Sequence, residues 1–390
     1  MNLLLEHITR FSTIEWILSA VLIFFFIIQL FFILIVYRRP YRYAKKRNKN
    51  ANNIDIKNLP GISVVIASKD NAVELSKNLP FILKQDYPEF EVIVVNSGST
   101  DDTDVVLNAA EQKYPHFYHT FIPEGADEAN EKKLALTLGI KAAKFDVVLF
   151  TESYCKPSSK NWIMEFAKEF VEGKDIVLGY CKLEFSKMAR RRCFIKYDNL
   201  VHHLKFISMT IAGKPFMGIG RNMAYKKELF FNNKGFSSIL GVDGGEDDLY
   251  INKIAKKKNT GVVISSDSMT ETDSVDSFYT WRSLKSKYLY TKQFYNYSGP
   301  FGFDTFSKYL FYLSFLVVLL FSINTENWIL FGFSLLLFII RFFAKLSVIN
   351  KNSAHFGAGK FHINLIFLEL FQPISNLRFK SFAKKRYTYR

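Results

Sequence analysis

An uncharged run of 22 residues, Trp16–Tyr37, constrains this chain more than any other feature. A helix of that length spans about 30 Å, the thickness of a bilayer's hydrocarbon core. A cleaved secretory leader has a shorter apolar stretch and a small-x-small exit. Here Arg38 and Arg39 follow at once. Residues 16–37 are therefore expected to be a membrane anchor after a short N-terminal segment, 1–15. The basic stretch Arg38–Lys49 points the following part of the chain to the cytosolic side and Met1 outside.

Composition agrees with a partly lipid-embedded protein. Of 390 residues 40 are Phe, and 52 Lys and Arg oppose 36 Asp and Glu, a formal net charge of +16. An excess of that size also suits nucleic-acid binding, so its placement decides. Much of it flanks apolar runs, at Arg38–Lys49 and Lys380–Arg390, where it favours the anionic cytosolic leaflet. Membrane lipids, and no nucleic acid, are the partners expected of these segments. Cys155, Cys181 and Cys193 show neither a paired framework nor a CxxC spacing, and read as reduced thiols of a cytosolic compartment.

Two further apolar stretches lie toward the C-terminus. Tyr309–Thr325 is uncharged over 17 residues, and Asn327–Ile340 continues to Arg341. They predict a helical hairpin within residues 306–346, turning at Asn324–Asn327, with Arg341 snorkelling near a helix end. Both stretches are short, so a re-entrant pair also suits them. Phe361–Phe371, which carries Glu369 and precedes Pro373, reads as an interfacial helix within a basic region, 347–390.

Between the apolar segments, residues 38–59 read as a basic juxtamembrane linker, polar over 51–58, and 60–300 as a soluble α/β domain. Strands are predicted at Ile62–Ala67, Phe90–Val95 and Val147–Thr151, with helices at Asn71–Leu83, Thr103–Tyr114 and Glu131–Ala143. Phe216–Ala224 is also strand-like. The alternation implies parallel βαβ units with right-handed crossovers. Ligands of such sheets sit at the carboxyl ends of the strands, here Ala67–Asp70, Asn96–Gly98 and Thr151–Tyr154. Asp70, Asn96 and Ser97 offer hydrogen-bonding groups to a nucleotide, whereas Asp101 and Asp102 are expected helix caps. His202 and His203 diverge on a helix and read as structural. No GxSxG, HExxH or Walker-type phosphate loop is present.

The segment ISVVIASKDNAVELSKNLPFILKQDYPEFEVIVVNSGSTDDT (Ile62–Thr103) resembles the opening of glycosyltransferase family 2, whose fold is called GT-A. The likeness continues through EKKLALTLGIKAA (Glu131–Ala143), FTESYCKPSSKNW (Phe150–Trp162), GKPFMGIGRNMAYKKELFF (Gly213–Phe231) and GGEDDLYI (Gly244–Ile251). It implies a GT-A-like mixed, mostly parallel, Rossmann-like sheet flanked by transmembrane helices. It also implies a multi-pass enzyme of the inner, cytoplasmic membrane with its catalytic domain in the cytosol. Such an enzyme moves a sugar from a nucleoside-diphosphate donor to a hydroxyl of a lipid-linked or glycan acceptor, with inversion.

The resemblance also assigns residues. Ala67, Ser68, Asp70 and Ser97 fall on the donor side, and Lys132 stands at the spacing of a basic family residue near the nucleotide. The triplet Glu152-Ser153-Tyr154 occupies the place of an acidic DxD-like motif whose carboxylates hold a divalent cation, Mg or Mn. Glu152 keeps the first acid and Tyr154 replaces the second. Such an ion tolerates one protein carboxylate with phosphates and waters, so Glu152 is the expected metal ligand and Ser153 a donor contact. A degenerate donor site without metal is the alternative, and Asn71 and Ser97 also replace family acids. Asp247 matches the family's catalytic base, with Glu246 and Asp248 orienting the acceptor or raising its pKa. A solvated acidic helix start is the other reading of those three. Arg221 is expected to contact phosphate or acceptor, or to pair with an acid. The family's QxxRW motif appears as Leu284-Lys285-Ser286-Lys287-Tyr288, leaving Lys287 to stabilise the departing diphosphate, with Lys285 and Lys292 as competitors. The missing acids support a second function: a catalytically degenerate relative that binds a sugar nucleotide or a partner.

Overall fold

The computed structural model of the chain describes residues 12–49, 58–122, 130–185 and 191–388. Ser12 caps helix α1 (Thr13–Phe31). Its hydroxyl accepts from the Glu15 amide while the Glu15 carboxylate accepts from the Ser12 amide, satisfying donors that a helix start leaves open. The rod continues through a π-helical turn, Phe32–Tyr37, and after Arg38 into α2 (Arg39–Lys49). The basic stretch expected as a linker is thus the polar end of the anchor helix. The polar segment 51–58 and the N-terminal segment 1–15 lie largely outside the described residues.

The α/β domain follows as β1 (Ile62–Ser68), α3 (Ala72–Leu83), β2 (Phe90–Asn96), α4 (Thr103–Lys113), β3 (Phe117–Phe121), α5 (Glu131–Ala142), β4 (Val147–Phe150) and β5 (Lys156–Pro157). Next come α6 (Trp162–Val171), β6 (Ile176–Leu178), β7 (Cys181–Leu183), α7 (Arg192–Ile211), β8 (Met223–Lys226) and α8 (Lys227–Asn232). The domain closes with α9 (Asp248–Ile254), β9 (Thr260–Val262), β10 (Thr270–Thr272) and α10 (Phe278–Thr291). The main sheet has the order β3-β2-β1-β4-β8-β6-β9, and β5-β10-β7 form a second sheet. In the main sheet β1 pairs in parallel with β2 and β4, and only β8 runs antiparallel to its neighbours. The strand expected over Phe216–Ala224 begins only at Met223. Residues before it turn instead, the Asn222 amide donating to the Ile219 carbonyl at 3.0 Å.

Successive side chains of a strand face opposite sides, and the sequence uses both. Ile62, Val64, Ile66, Val92, Val94 and Leu149 pack with Leu79 of α3, Leu107 of α4 and Phe166 of α6. Val65, Ile93, Val95, Val148 and Phe150 meet Leu136 and Ile140 of α5 and Leu204 of α7. Near-continuous apolar strands are what a sheet covered on both faces requires. The second of these clusters also takes in Phe32, Ile33 and Val36 of the anchor rod.

Three helices close the chain: α11 (Phe301–Asn324), α12 (Trp328–Phe356) and α13 (Leu365–Thr388). Among the described residues Thr13–Arg47, α11 and α12 are long and apolar enough to cross a membrane. Phe24, Ile27, Phe306, Leu316, Leu320, Leu336 and Phe343 are exposed on them, an apolar surface suited to lipid rather than water. The hairpin turns where expected, but α12 runs past residue 346 to Phe356. Two sequence expectations change here. Arg341 does not snorkel: it is 2% exposed and its guanidinium donates to both Glu369 oxygens (2.8 and 3.2 Å) and to Gln29 Oε1 at 2.8 Å. Nor is the helix confined to Phe361–Phe371: α13 begins at Leu365 and passes straight through Pro373 to Thr388. A proline cannot donate to the carbonyl four residues back. That carbonyl, Glu369 O, instead accepts from Lys308 Nζ at 3.1 Å, and the next, Leu370 O, from the Tyr309 hydroxyl at 2.9 Å.

Candidate active site

The carboxyl ends of β1, β2 and β4 open on one cleft. Ala67, Ser68, Ser97, Lys132, Ser153 and Tyr154 line its upper part, a cavity of about 270 Å³. The Ser97 amide donates to Ser68 O at 2.8 Å and so extends the β1–β2 pairing to the cleft's edge. Gly98 follows with φ +63°, a turn that glycine adopts without strain. Asp70, expected on the donor side, does not line this cavity. Its carboxylate accepts from the Thr100 amide at 2.8 Å and the Thr100 hydroxyl at 3.2 Å, tying the β1 loop to the β2 loop. Asn96 is likewise consumed by the turn, donating to Asp104 and accepting from Ser99. Asp101 caps across the loop: it accepts from the Ala72 amide at the start of α3 and from Thr103.

The three acids of the Glu246-Asp247-Asp248 turn have three different environments. Gly244 and Gly245, at φ +80° and +83°, bend the chain into the turn. Asp247 is 4% exposed, and Oδ2 accepts from the Gly220 amide and the Tyr288 hydroxyl, each at 2.9 Å. Its Oδ1 accepts from the Asp248 amide at 2.8 Å. Glu246 is paired with Lys287 and lies 3.4 Å from Lys132 Nζ. Burial opposes its ionisation, but Lys287 and Lys132 outweigh burial and hold its carboxyl well below the ordinary range. Asp248 turns away from the cleft, accepting from Tyr295, Thr291 and the Leu249 amide.

Burial first, then Asp247, push the Asp248 carboxyl upward despite those hydrogen bonds. A carboxyl whose folded pKa is raised withholds stability as pH climbs above the unfolded value. Asp248→Asn, which keeps an acceptor for Tyr295 and Thr291, is therefore expected to raise the melting temperature by a few degrees near neutral pH. The gain should vanish once the medium is acid enough to protonate the wild-type carboxyl in both states. Thermal unfolding across a pH series checks this.

Glu152 meets the acidic turn from β4. Lys132 Nζ donates to its Oε1 at 2.5 Å, so one lysine of α5 ties Glu152 to Glu246. Burial lowers the Lys132 pKa, but Glu152, Glu246 and Asp247 outweigh it and keep the ammonium charged. A Cβ on Gly220 would lie 3.4 Å from Asp247 Oδ2 and 3.5 Å from Glu152 Oε1, so both carboxylates reach the same glycine. Glu152, Asp247, Lys132, Lys287, Tyr154 and Tyr288 line the lower cleft, a cavity of about 320 Å³.

The competitors of Lys287 are resolved by the helix. Lys285 faces the other way, donating at 2.9 Å to Asp198, which also takes the Trp281 indole N–H at 2.9 Å. Lys292 lines a different cavity. Arg221 corrects another expectation: it is 2% exposed, its carbonyl accepts from Thr270 at 2.9 Å, and it does not line the cleft. His203 is fully buried with Nδ1 on Asn199 O, and the His202 ring stands at 85° to it. Sequence reasoning gave no role to Tyr288, which follows Lys287 directly, or to Gly220, whose amide donates to Asp247.

Glu152 lines both parts of the cleft, including the part at the ends of β1 and β2. Among the described residues no group of three or more His, Cys, Asp or Glu side chains is placed to hold an ion. Tyr154 supplies a phenol, not a carboxylate, whereas Glu152 lines the cleft beside the ends of β1 and β2. Glu152 fits an ion completed by phosphate oxygens and water, and that ion would share the carboxylate with Lys132.

A mostly parallel sheet with one reversed strand and a cleft at its carboxyl edge defines a GT-A-type fold. In agreement, the structure superimposes with a TM-score of 0.51 on the mannosyltransferase PcManGT from Pyrobaculum calidifontis, solved in complex with GDP-Man and Mn2+. That protein is 16% identical, and the alignment covers 87% of this chain and 97% of the other. Residues 63–231, within the α/β domain, match the sequence profile of glycosyl transferase family 2. The poly-beta-1,6-N-acetyl-D-glucosamine synthases of Staphylococcus aureus strains COL and N315 are each 25% identical over 139 residues, 36% of this chain. The match spans 29% of the length of those curated relatives.

Proposed function

We propose that this chain is a membrane glycosyltransferase that moves a sugar, with inversion, from a nucleoside diphosphate to a hydroxyl of a lipid-linked or glycan acceptor. The observation that carries the reading is the approach of Glu152 and Asp247 to one glycine, Gly220, with Lys132 on Glu152 and both Lys132 and Lys287 on Glu246 in the same cleft. The nucleotide occupies the cavity at Ala67, Ser68, Ser97 and Ser153, with its diphosphate toward Lys132 and Lys287. Asp247 accepts the acceptor hydroxyl's proton as that oxygen bonds to the anomeric carbon. On the opposite face the carbon–oxygen bond to the diphosphate breaks, and the leaving group carries off the electron pair. Lys132 and Lys287 offset its charge. A divalent cation on Glu152 would add further charge neutralisation at the diphosphate. The basic ends of the apolar helices support a cytosolic catalytic domain.

A family relative that binds a sugar nucleotide without turning it over is favoured by one feature, Tyr154 in place of a second acid. Release of nucleoside diphosphate from a panel of nucleotide sugars, assayed with the purified full chain, separates the two. Turnover is expected to need added Mg2+ or Mn2+, to stop with EDTA, and to fall about a hundredfold or more in Glu152→Gln. Equal background for wild type and variant would establish the non-catalytic reading.

A further inference from the structure

A second and larger cavity, about 710 Å³, lies between the catalytic domain and the helices that close the chain. Its walls come from α7, α10, the first turns of α11, and α13 around Pro373. Drug-sized and cofactor-sized ligands occupy spaces of about 300–1,000 Å³. The lining divides by chemistry. Phe216, Leu289, Phe301 and Leu377 are apolar, while Lys205, Lys285, Lys292 and Lys380 supply four ammonium groups. No acidic side chain among the described residues lines the space. Behind the wall Asp198 holds Lys285, and Asp304 of α11 acts on Lys205. Two of the four charges therefore remain without a neighbouring carboxylate.

Two buried polar atoms also lack a hydrogen-bond partner among the described residues: His202 Nε2 and Asn376 Oδ1. Both side chains line this cavity. Burying such groups unpaired costs free energy that a bound polar ligand or water would recover. Burial, and neighbouring lysines against the pull of Asp304, lower the Lys205 ammonium to about 7, a strain that an anion relieves. The cavity and the active site share a wall at Tyr288, whose hydroxyl donates to Asp247.

We propose that this cavity binds a membrane amphiphile with a phosphate-bearing head group, its phosphate on Lys205 and Lys292 and its chain along the apolar wall toward α11. Resting on the transferase reading above, the head group then approaches Asp247 past Tyr288 as the acceptor. The alternation of cations and apolar surface excludes a free sugar, which needs neither. It matches an anionic lipid, which needs both.

Calorimetric titration of the full chain in neutral detergent tests the site without any turnover. The probes are dioctanoyl phosphatidate, dioctanoylglycerol with the same tails, and inorganic phosphate. Phosphatidate is expected to bind, and Lys205→Gln with Lys292→Gln to weaken it about tenfold or more. Gly302→Phe offers a second variant that leaves every charge in place: a Cβ at this cavity-lining glycine meets nothing within 4 Å, so the ring enters the open space and should block binding. Lys132→Gln, in the donor cleft, should leave phosphatidate affinity unchanged. Equal binding of dioctanoylglycerol would reduce the site to an apolar crevice. Equal binding of inorganic phosphate would make it a free-anion site, and unchanged affinity in both cavity variants would put the lipid elsewhere. Any of these overturns the proposal. Phosphatidate binding in a chain that never releases nucleoside diphosphate would instead overturn the transferase reading alone.

Discussion

Asp247→Asn is expected to lower sugar transfer by about a thousandfold or more while leaving the fold and nucleotide binding intact. The asparagine oxygen can still accept from the Gly220 amide and the Tyr288 hydroxyl, the two groups that share Oδ2. The position therefore keeps the Oδ2 acceptor and loses the capacity to take a proton, together with the acceptor that Oδ1 gives the Asp248 amide. Initial rates with saturating donor, beside a binding isotherm for the nucleoside diphosphate, distinguish a lost base from a collapsed site. A variant that retains wild-type turnover would remove Asp247 from the chemistry and transfer the role to another acid of the turn.

The second large effect concerns the closing helices. Glu369→Leu strands the Arg341 guanidinium, which is buried and holds both oxygens of that carboxylate. Leaving one partner of a buried ion pair uncompensated costs about 3–5 kcal/mol. The variant is expected to lose most of its folded yield and to unfold at a markedly lower temperature in detergent. Replacing both partners, Arg341→Met with Glu369→Leu, should restore part of the loss, the remainder belonging to Lys345, which is buried 3.9 Å from the same carboxylate. Size-exclusion profiles after a temperature ramp read the difference. Equal instability of the single and double variants would argue that Gln29, which also accepts from Arg341 at 2.8 Å, carries the junction instead.

Legibility in the sequence followed physical period. The apolar strands β1, β2 and β4 and their helices announce themselves through alternation and helical spacing, and each lies within a residue or two of its expected bounds. The second sheet does not, because strands of two or three residues carry no period. Glu152, Lys132, Asp247 and Lys287 were legible as chemistry-bearing residues, and the fold brings all four to one cleft. Asp70 and Arg221 misled for the same reason: their types suit phosphate and ribose, but nothing in a local stretch reveals that Thr100 or a buried wall takes them. Arg341 and Glu369, 28 positions apart, each read as an isolated charge beside an apolar run. Only the packing of α12 on α13 turns them into a pair.

The rod formed by α1, the π-helical turn and α2 has a mechanical meaning. Its far end is fastened to the catalytic domain by Arg47, which grips Glu169 at 2.6 Å and Glu172 at 2.8 Å. Nearer the apolar part, Ser208 Oγ donates to the Val36 carbonyl at 2.6 Å, and Arg39 donates to Ser208 O at 2.9 Å. A strut bolted at two heights cannot swing. The catalytic domain is consequently tied to the apolar rod at both points, so that a push on one is felt by the other.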